Sequence, residues 1–376
     1  MNEYLCEFSL GHVGGPTVAI KDSIDVAGYA TTGGSPALAD APQATRHAEV
    51  VERLIESGWH VVAKANMHEL AFGMTGINDF TGTPTNPQDP LRIPGGSSSG
   101  SAAAVGRGLV DAALGTDTGG SVRGPAACCG VIGLKPTFGR VSRRGVAPAH
   151  TTLDCVGPFA REMQMLARVM AAISPDFDLA AASAAVHGAA VGIVTVEAST
   201  DILDAVTRAV SASGLASRKI ELAGLSDAFE AGLTVINAET WQAFGALLKT
   251  GKIGAGVETR LQAASLTSAV QVEAAEAVRR RFTREVDGAL QHVDVLVLPT
   301  LPDLPITVEA ARAGASVIHM SSLIRPFNLS GHPALSLPLP LAGTQLKAGL
   351  QIIGRHGADE QVCAIGAHFE SMLKPR

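Results

Sequence analysis

Aromatic and charged residues are scarce in this chain, and long apolar runs are absent. Of its 376 residues, 4% are aromatic and 17% are charged, whereas 46% are hydrophobic. High apolar content with low charge is the opposite of a disordered composition, so we expect a globular protein with a sizeable core. The net charge of −6 weakens a nucleic-acid-binding interpretation, because such proteins normally carry a basic face. No apolar run approaches the roughly 20 residues of a membrane-spanning helix.

Cysteine is also rare, and its arrangement argues against two common frameworks. The five cysteines are Cys6, Cys128, Cys129, Cys155 and Cys363. Their number is odd and none forms Cys-x-x-Cys, so we expect neither a disulfide scaffold nor a zinc ribbon. His68 and Glu69 begin like a His-Glu-x-x-His zinc motif, but Phe72 stands where the second histidine is required. We therefore expect no metal and no other cofactor. With no signal peptide apparent at the N-terminus, we expect a cytoplasmic protein.

Periodicity predicts alternating strands and helices. Apolar runs at 17–20 and 59–65 read as strands, with a helical pattern at 45–57 between them. A second helical pattern at 275–290 leads into a strand-like run at 293–298. Such units indicate an α/β architecture with a largely buried sheet. The alanine-rich stretch from about 162 to 290 reads as mostly helical.

Lys21 directly follows the apolar run 18–20. An unbroken apolar run is typical of a strand covered on both faces, where lysine is rarely buried without a reason. Two interpretations are open on position alone. Either Lys21 lies just beyond the strand and points to water, or it is buried and functional.

Two stretches rich in glycine and serine are further candidates. Residues 95–101 (GGSSSGS) precede a helical segment, and such a junction offers backbone N–H groups to an anion. The lysine of a phosphate loop is missing there, so we do not expect nucleotide binding. In residues 115–121 (GTDTGGS), two glycines precede a serine and leave N–H groups free to face an oxyanion. Each stretch alone is equally compatible with an ordinary connector or turn.

Taken together, Lys21, Ser97 and Ser121, with the sequence around them, closely resemble the amidase signature family. The resemblance is carried by residues 15–22 (GPTVAIKD), 65–73 (ANMHELAFG), 95–137, 139–142 (GRVS) and 325–334 (RPFNLSGHPA). It is dense over about 14–170, patchy over about 175–290, and clear again over 291–376. It implies one domain spanning 1–376, with a twisted mixed sheet of about ten or eleven strands sandwiched between helices.

The resemblance also implies a Ser–Ser–Lys triad. By motif position, Ser121 is the nucleophile, Ser97 is a bridging serine that follows a cis peptide bond, and Lys21 is the base. An ordinary lysine has a pKa near 10.4, so the amine must be destabilised in its charged form by about 5 kcal/mol to reach a pKa of about 7. Burial at the end of an apolar strand supplies an effect of that kind.

Supporting roles follow from the same resemblance. The backbone N–H groups of Thr118, Gly119 and Gly120, together with that of the nucleophile, are expected to form the oxyanion hole. Ser98 and Asp117 are expected to support the loop by hydrogen bonds.

Three residues are candidates for substrate binding. Met74 falls where family members line the acyl pocket, although a core methionine is an alternative. Arg123 and Arg325 could each bind a substrate carboxylate in a bidentate manner, and Arg123 could instead brace the loop. Family members usually carry helices ahead of the lysine strand, and here that strand begins within the first twenty residues.

The expected activity is hydrolysis of a small carboxamide to a carboxylate plus ammonia or amine. One alternative is the glutaminase-type subunit of a tRNA-dependent amidotransferase, which would need a partner protein. Another is a non-catalytic binding protein on the same fold. For the leading interpretation we expect a small-molecule partner and neither nucleic acid nor membrane, and we leave a homodimer open.

Overall fold

A computed structural model describes residues 2–373 of the chain. Eleven strands form one mixed sheet in the order β1-β3-β2-β4-β6-β5-β10-β11-β9-β7-β8. The strands are β1 (Tyr4–Gly11), β2 (Thr17–Lys21), β3 (His60–Ala65), β4 (Ala112–Asp117), β5 (Ile132–Lys135), β6 (Cys155–Ala160), β7 (Ala190–Val194), β8 (Ala216–Ile220), β9 (Val295–Pro299), β10 (Ala334–Pro340) and β11 (Lys347–Ile353). The expected α/β fold with about ten or eleven strands is confirmed.

Helices cover the sheet. They are α1 (Glu49–Glu56), α2 (Ser99–Gly106), α3 (Arg123–Cys129), α4 (Met163–Ile173), α5 (Leu179–Ala182), α6 (Thr200–Ser213), α7 (Leu225–Phe244), α8 (Ala255–Ala264), α9 (Ala269–Leu290), α10 (Val308–Arg312), α11 (Arg325–Leu329) and α12 (Asp359–Leu373). Within the described residues, none of them is both long and apolar enough to cross a membrane.

The sheet separates two apolar cores because neighbouring residues of a strand point to opposite faces. In β9, Val295 and Val297 join one core while Leu296 and Leu298 join another. All four side chains are fully buried. This explains why the strand reads as a continuous apolar run in the sequence.

The predicted elements form with small shifts at their ends. The strand expected at 17–20 is β2, which pairs in parallel with both β3 and β4 and so lies inside the sheet. The helix expected at 45–57 is α1, and the strand expected at 293–298 is β9. The glycine- and serine-rich residues 95–101 are not an exposed connector, since every residue from 93 to 101 is buried.

The stretch expected to be mostly helical contains two strands, β7 and β8. The exposed edge strand β8 has the sequence ASRKI, whose side chains are exposed or half-buried. A strand without a buried face lacks the apolar alternation by which strands are recognised. The extra pair extends the sheet in parallel beyond β9.

Candidate active site

Three chain segments meet around the side chain of Lys21, at the end of an interior strand of the sheet. Lys21 ends β2 and is fully buried. Its Nζ lies 2.7 Å from Ser97 Oγ, in the loop before α2, and 2.7 Å from Thr116 Oγ1, in the adjacent strand β4. The sequence left open whether Lys21 points to water, and the structure places it inside.

Burial changes the acid–base chemistry of this amine. Desolvation lowers the pKa of Lys21 to about 7, although the carboxylates of Asp154 and Asp117 oppose the shift. No salt bridge joins Lys21 to an acid within the described residues. A pKa near neutrality suits a general base, because a large fraction of the amine is then uncharged at working pH.

Ser97 is held rigidly beside the lysine. The Gly96–Ser97 peptide bond is cis, as the family resemblance implies. The Ser97 carbonyl accepts a hydrogen bond from His68 N at 3.0 Å, and the side chain is fully buried. The Ser97 hydroxyl thus stays within hydrogen-bonding distance of the Lys21 amine.

Ser98 connects Ser97 to the loop that contains Ser121. Its backbone N–H donates to the Ser121 carbonyl at 3.3 Å, and its hydroxyl donates to the Thr116 carbonyl at 3.2 Å. The residue next to Ser97 thus fixes both β4 and the loop that follows it. Ser121 itself is 5% exposed and lines a cavity of about 600 Å³.

Asp117 lies at the centre of the loop and is fully buried. It accepts hydrogen bonds from the backbone N–H groups of Gly120 at 2.8 Å, Val122 at 3.1 Å and Arg123 at 3.2 Å. Burial alone would raise its pKa, but the Arg123 guanidinium and the Asn328 amide outweigh burial and hold the pKa below its usual range. The carboxylate therefore stays charged and organises the loop.

Arg123 does not reach the cavity, which corrects its assignment as a carboxylate-binding candidate. Its guanidinium pairs with Asp117 at 2.9 Å and donates to the Ile324 carbonyl, Gln351 Oε1 and Asn328 Oδ1. The side chain is fully buried. Because its nitrogens bind protein acceptors, Arg123 braces the loop, as the second interpretation of this residue held.

The oxyanion-hole expectation also needs a correction, at Gly120. Its N–H is donated to Asp117, and the residue is not among those lining the cavity. Its φ is +112°, and a Cβ there would lie 2.1 Å from Ile324 Cδ1, so glycine is required for close packing. Thr118 and Gly119 do line the cavity beside Ser121, and no described residue accepts a hydrogen bond from their N–H groups.

Met74 and Arg325 line the same cavity, where the sequence placed them. Arg325 is 5% exposed, and within residues 2–373 it donates to two neutral acceptors, Ser321 Oγ at 2.6 Å and the Phe229 carbonyl at 3.4 Å. Its Nε is buried with no partner among the described residues. Burial lowers the pKa of Arg325 to about 10, which still leaves it charged at neutral pH.

Sequence reasoning missed three residues of this region. Thr116 contacts Lys21, Arg260 lines the cavity, and Asn328 holds Asp117. Thr116 and Asn328 belong to segments that carry the resemblance, so their motif position was available as a signal. Arg260 lies in α8, in the region of patchy resemblance, and nothing in its neighbourhood marks it.

Comparison with known proteins gives a consistent result. The sequence model of the amidase family matches residues 7–186 and 173–363. One subunit of the glutamyl-tRNA(Gln) amidotransferase of Synechococcus sp. strain RCC307 is 33% identical over 96% of this chain and 84% of its own length. A fatty acid amide hydrolase of Medicago truncatula is 32% identical over 94% of this chain and 64% of its own. The crystal structure of an amidase superposes with a TM-score of 0.86 at 30% identity, over 96% of this chain and 85% of that one.

Proposed function

Because the chain belongs to the amidase family of C–N hydrolases, we propose that it hydrolyses a small carboxamide through an acyl-enzyme formed on Ser121. The observation that supports this most directly is the buried Lys21 amine at 2.7 Å from Ser97 Oγ. An uncharged amine in that position is a base for a serine hydroxyl. The cavity beside Ser121 supplies room for a small substrate.

In the proposed first half-reaction, two linked proton transfers accompany formation of a C–O bond to Ser121 and loss of the C–N bond. Neutral Lys21 takes the proton of Ser97 while Ser97 takes that of Ser121, whose Oγ attacks the carbonyl carbon. The tetrahedral oxyanion faces the free N–H groups of Thr118 and Gly119. Ser97 then donates a proton to the leaving nitrogen and regains one from Lys21, the C–N bond breaks, and ammonia or amine departs.

The second half-reaction repeats the relay with water. Lys21 again accepts a proton through Ser97, this time from the water that attacks the acyl-enzyme carbonyl. Collapse of the second oxyanion breaks the ester bond and returns the proton to Ser121. The products are a carboxylate and the regenerated hydroxyl.

We further propose that the preferred amide carries a carboxylate. The cavity is lined by two arginines, Arg260 and Arg325, and by no aspartate or glutamate of the described chain. Arg260 donates to the Phe72 carbonyl at 2.8 Å, a neutral acceptor, so neither arginine is neutralised by an acid that lines the cavity. An excess of positive charge in a partly enclosed site favours an anionic ligand, and guanidinium groups suit carboxylates.

Ammonia release by the purified protein tests the activity. We expect turnover of one or more small amides by the chain alone and none by Ser121→Ala. Pairs that differ in charge and by one methyl group, such as succinamate and its methyl ester, test the anionic preference. The absence of ammonia from every amide would contradict hydrolysis, whereas equal turnover of both members of a pair would contradict only the carboxylate.

Arg325→Met examines the carboxylate-binding role separately from the chemistry. Losing a hydrogen bond to a charged group costs about 1.5–3 kcal/mol, so we expect kcat/KM for the acidic amide to fall about 10- to 100-fold. The neutral ester of that amide should be affected far less, because it makes no such bond. A parallel loss on both substrates would assign Arg325 to packing instead.

A glutaminase-type role within an amidotransferase is the second candidate, and similarity to the Synechococcus protein favours it. Glutamine is itself an amide that carries a carboxylate, so the cavity charge does not separate the two candidates. The substrate panel does. Strong preference for glutamine, with activity only in a complex isolated from the native cells, would favour the amidotransferase role. Turnover of several amides by the chain alone would favour a stand-alone amidase.

A further inference from the structure

A cluster of three ligand-type side chains lies outside the cavity described above. Asp287 is in the last turn of α9, His332 is in the turn before β10, and His356 follows β11. His332 Nε2 lies 3.2 Å from Asp287 Oδ1, and His356 Nδ1 lies 3.6 Å from the same oxygen. The three ligand atoms all lie within 4.8 Å of one another.

The remaining nitrogen of each histidine is anchored by the same residue. His356 Nε2 lies 2.9 Å from the Ser330 carbonyl, and His332 Nδ1 lies 3.0 Å from the Ser330 hydroxyl. A carbonyl only accepts, so His356 Nε2 carries the hydrogen. In the neutral ring, Nδ1 then directs its lone pair towards the Asp287 carboxylate. These two electron-rich atoms lie 3.6 Å apart, and a cation bound between them would stabilise the arrangement.

We propose that Asp287, His332 and His356 bind a divalent cation of the zinc type. Metal–ligand bonds of about 2.0–2.1 Å in a tetrahedron separate ligand atoms by roughly 3.3 Å, close to the two distances to Asp287 Oδ1. Two imidazoles and one carboxylate suit zinc better than magnesium or calcium, which prefer oxygen ligands. Anchoring of the outer ring nitrogens is the usual second contact of metal-binding histidines.

The cluster is accessible to a metal from solvent. The side chains of Asp287 and His356 are 49% and 41% exposed, whereas His332 is buried beneath them. Three protein ligands leave one position for water. None of the three residues lines the cavity next to Ser121, so the cation takes no part in the amide chemistry proposed above.

Such a cation would fasten three separate segments. His332 lies four residues beyond Asn328, whose amide donates to the carbonyl and carboxylate of Asp117 at 2.8 and 2.7 Å. Fixing the turn at His332 to α9 and to the loop after β11 therefore stabilises the segment that holds the Asp117 loop. The expected consequence is greater thermal stability of the native state, since a ligand that binds only the folded protein raises its stability.

Titration of chelator-treated protein with Co²⁺ and Zn²⁺ tests the site. We expect one equivalent of Co²⁺ to give the visible absorption of a tetrahedral complex, Zn²⁺ to displace it, and Zn²⁺ to raise the melting temperature. Asp287→Asn and His356→Ala should each weaken Zn²⁺ binding at least about tenfold, and Ser330→Ala by about 10- to 100-fold. His187→Ala, which removes an exposed histidine elsewhere, should leave the affinity unchanged.

The two ligand variants change partly exposed residues, so they are expected to fold. Absence of saturable one-equivalent binding by the wild type would overturn the proposal. So would binding that Asp287→Asn and His356→Ala leave unchanged, or a thiolate charge-transfer band, which would place the metal on cysteine.

Discussion

Replacing Lys21 by methionine separates the chemical role of this amine from the cost of burying it. Methionine is similar in length, is uncharged and has no basic nitrogen. Removal of a general base typically costs about 10²- to 10⁴-fold in rate, so we expect a loss of that size in kcat/KM. The wild-type rate should also depend on pH in a defined direction.

The pH dependence of activity follows from the lowered pKa of Lys21. With a pKa of about 7, roughly half of the amine is neutral at pH 7, against about one part in 3,000 for a lysine at its ordinary value. Activity should therefore rise with pH through about 7 and then level off. Lys21→Met should lose this rise of activity with pH, together with most of the kcat/KM.

The same shift predicts that Lys21 lowers stability. Its pKa is about 7 in the folded state and 10.5 in the unfolded state, so between these values the unfolded chain holds the extra proton. The free energy of unfolding therefore rises with pH across this window. Below pH 7, burial of the charged amine lowers the free energy of unfolding by its full amount, about 5 kcal/mol. Lost hydrogen bonds to Ser97 and Thr116 offset about 1 kcal/mol each in the variant.

Urea denaturation at about pH 6 and pH 9 measures the difference in unfolding free energy between wild type and Lys21→Met. Lys21→Met should be more stable than wild type by about 3 kcal/mol at the lower pH and close to it at the higher one. Lys64→Met is the matched control, because Lys64 is equally buried but pairs with Asp22 at 3.1 Å. Its loss leaves an unpaired buried carboxylate and should destabilise by about 3–5 kcal/mol. An active Lys21→Met enzyme, or one destabilised at both pH values, would refute the reasoning.

Two further substitutions examine the loop. Ser121→Ala should reduce amide turnover at least about 10⁴-fold and abolish any burst of amine in pre-steady-state kinetics, and a retained burst would place the nucleophile elsewhere. Asp117→Asn leaves the Arg123 guanidinium buried without its carboxylate, so thermal unfolding should reveal a loss of about 3–5 kcal/mol. An unchanged melting temperature would show that the loop does not depend on this ion pair.

The sequence predicted the strand–helix architecture where apolar periodicity was strong and the site where motif order was specific. Lys21, Ser97 and Ser121 are far apart in the chain, and only the resemblance brought them together. Position alone left Lys21 open between water and burial. The parallel pairing of β2 with strands on both sides decides the question, because it places the end of the strand inside the sheet.

Hydrogen-bond competition could not be read from the sequence. The sequence does not distinguish Gly119 from Gly120. In the structure the Gly120 N–H donates to Asp117, whereas Gly119 lines the cavity and its N–H has no acceptor among the described residues. Arg123 and Arg325 were equal candidates for the same reason. Whether a guanidinium finds hydrogen-bond acceptors within the protein depends on residues such as Gln351, which is far away in the sequence, on β11.

Buried positive charge in this protein is of two kinds: cations paired with a carboxylate and cations without one. Lys64 and Arg123 are buried against carboxylates at 3.1 and 2.9 Å, which offsets much of the cost of removing them from water. Lys21, Lys135 and Arg325 have no such ion pair among the described residues, and burial lowers the pKa of all three. Lys135 donates to the Pro136 carbonyl at 3.0 Å and is absent from the cavity lining, whereas the other two lie at the site. An unpaired buried cation is costly to keep in a fold. Lys21 adjoins the Ser97 hydroxyl and Arg325 lines the cavity next to Ser121. These are the two positions at which the proposed chemistry would use an amine that releases its proton readily and a guanidinium that still lacks an anion.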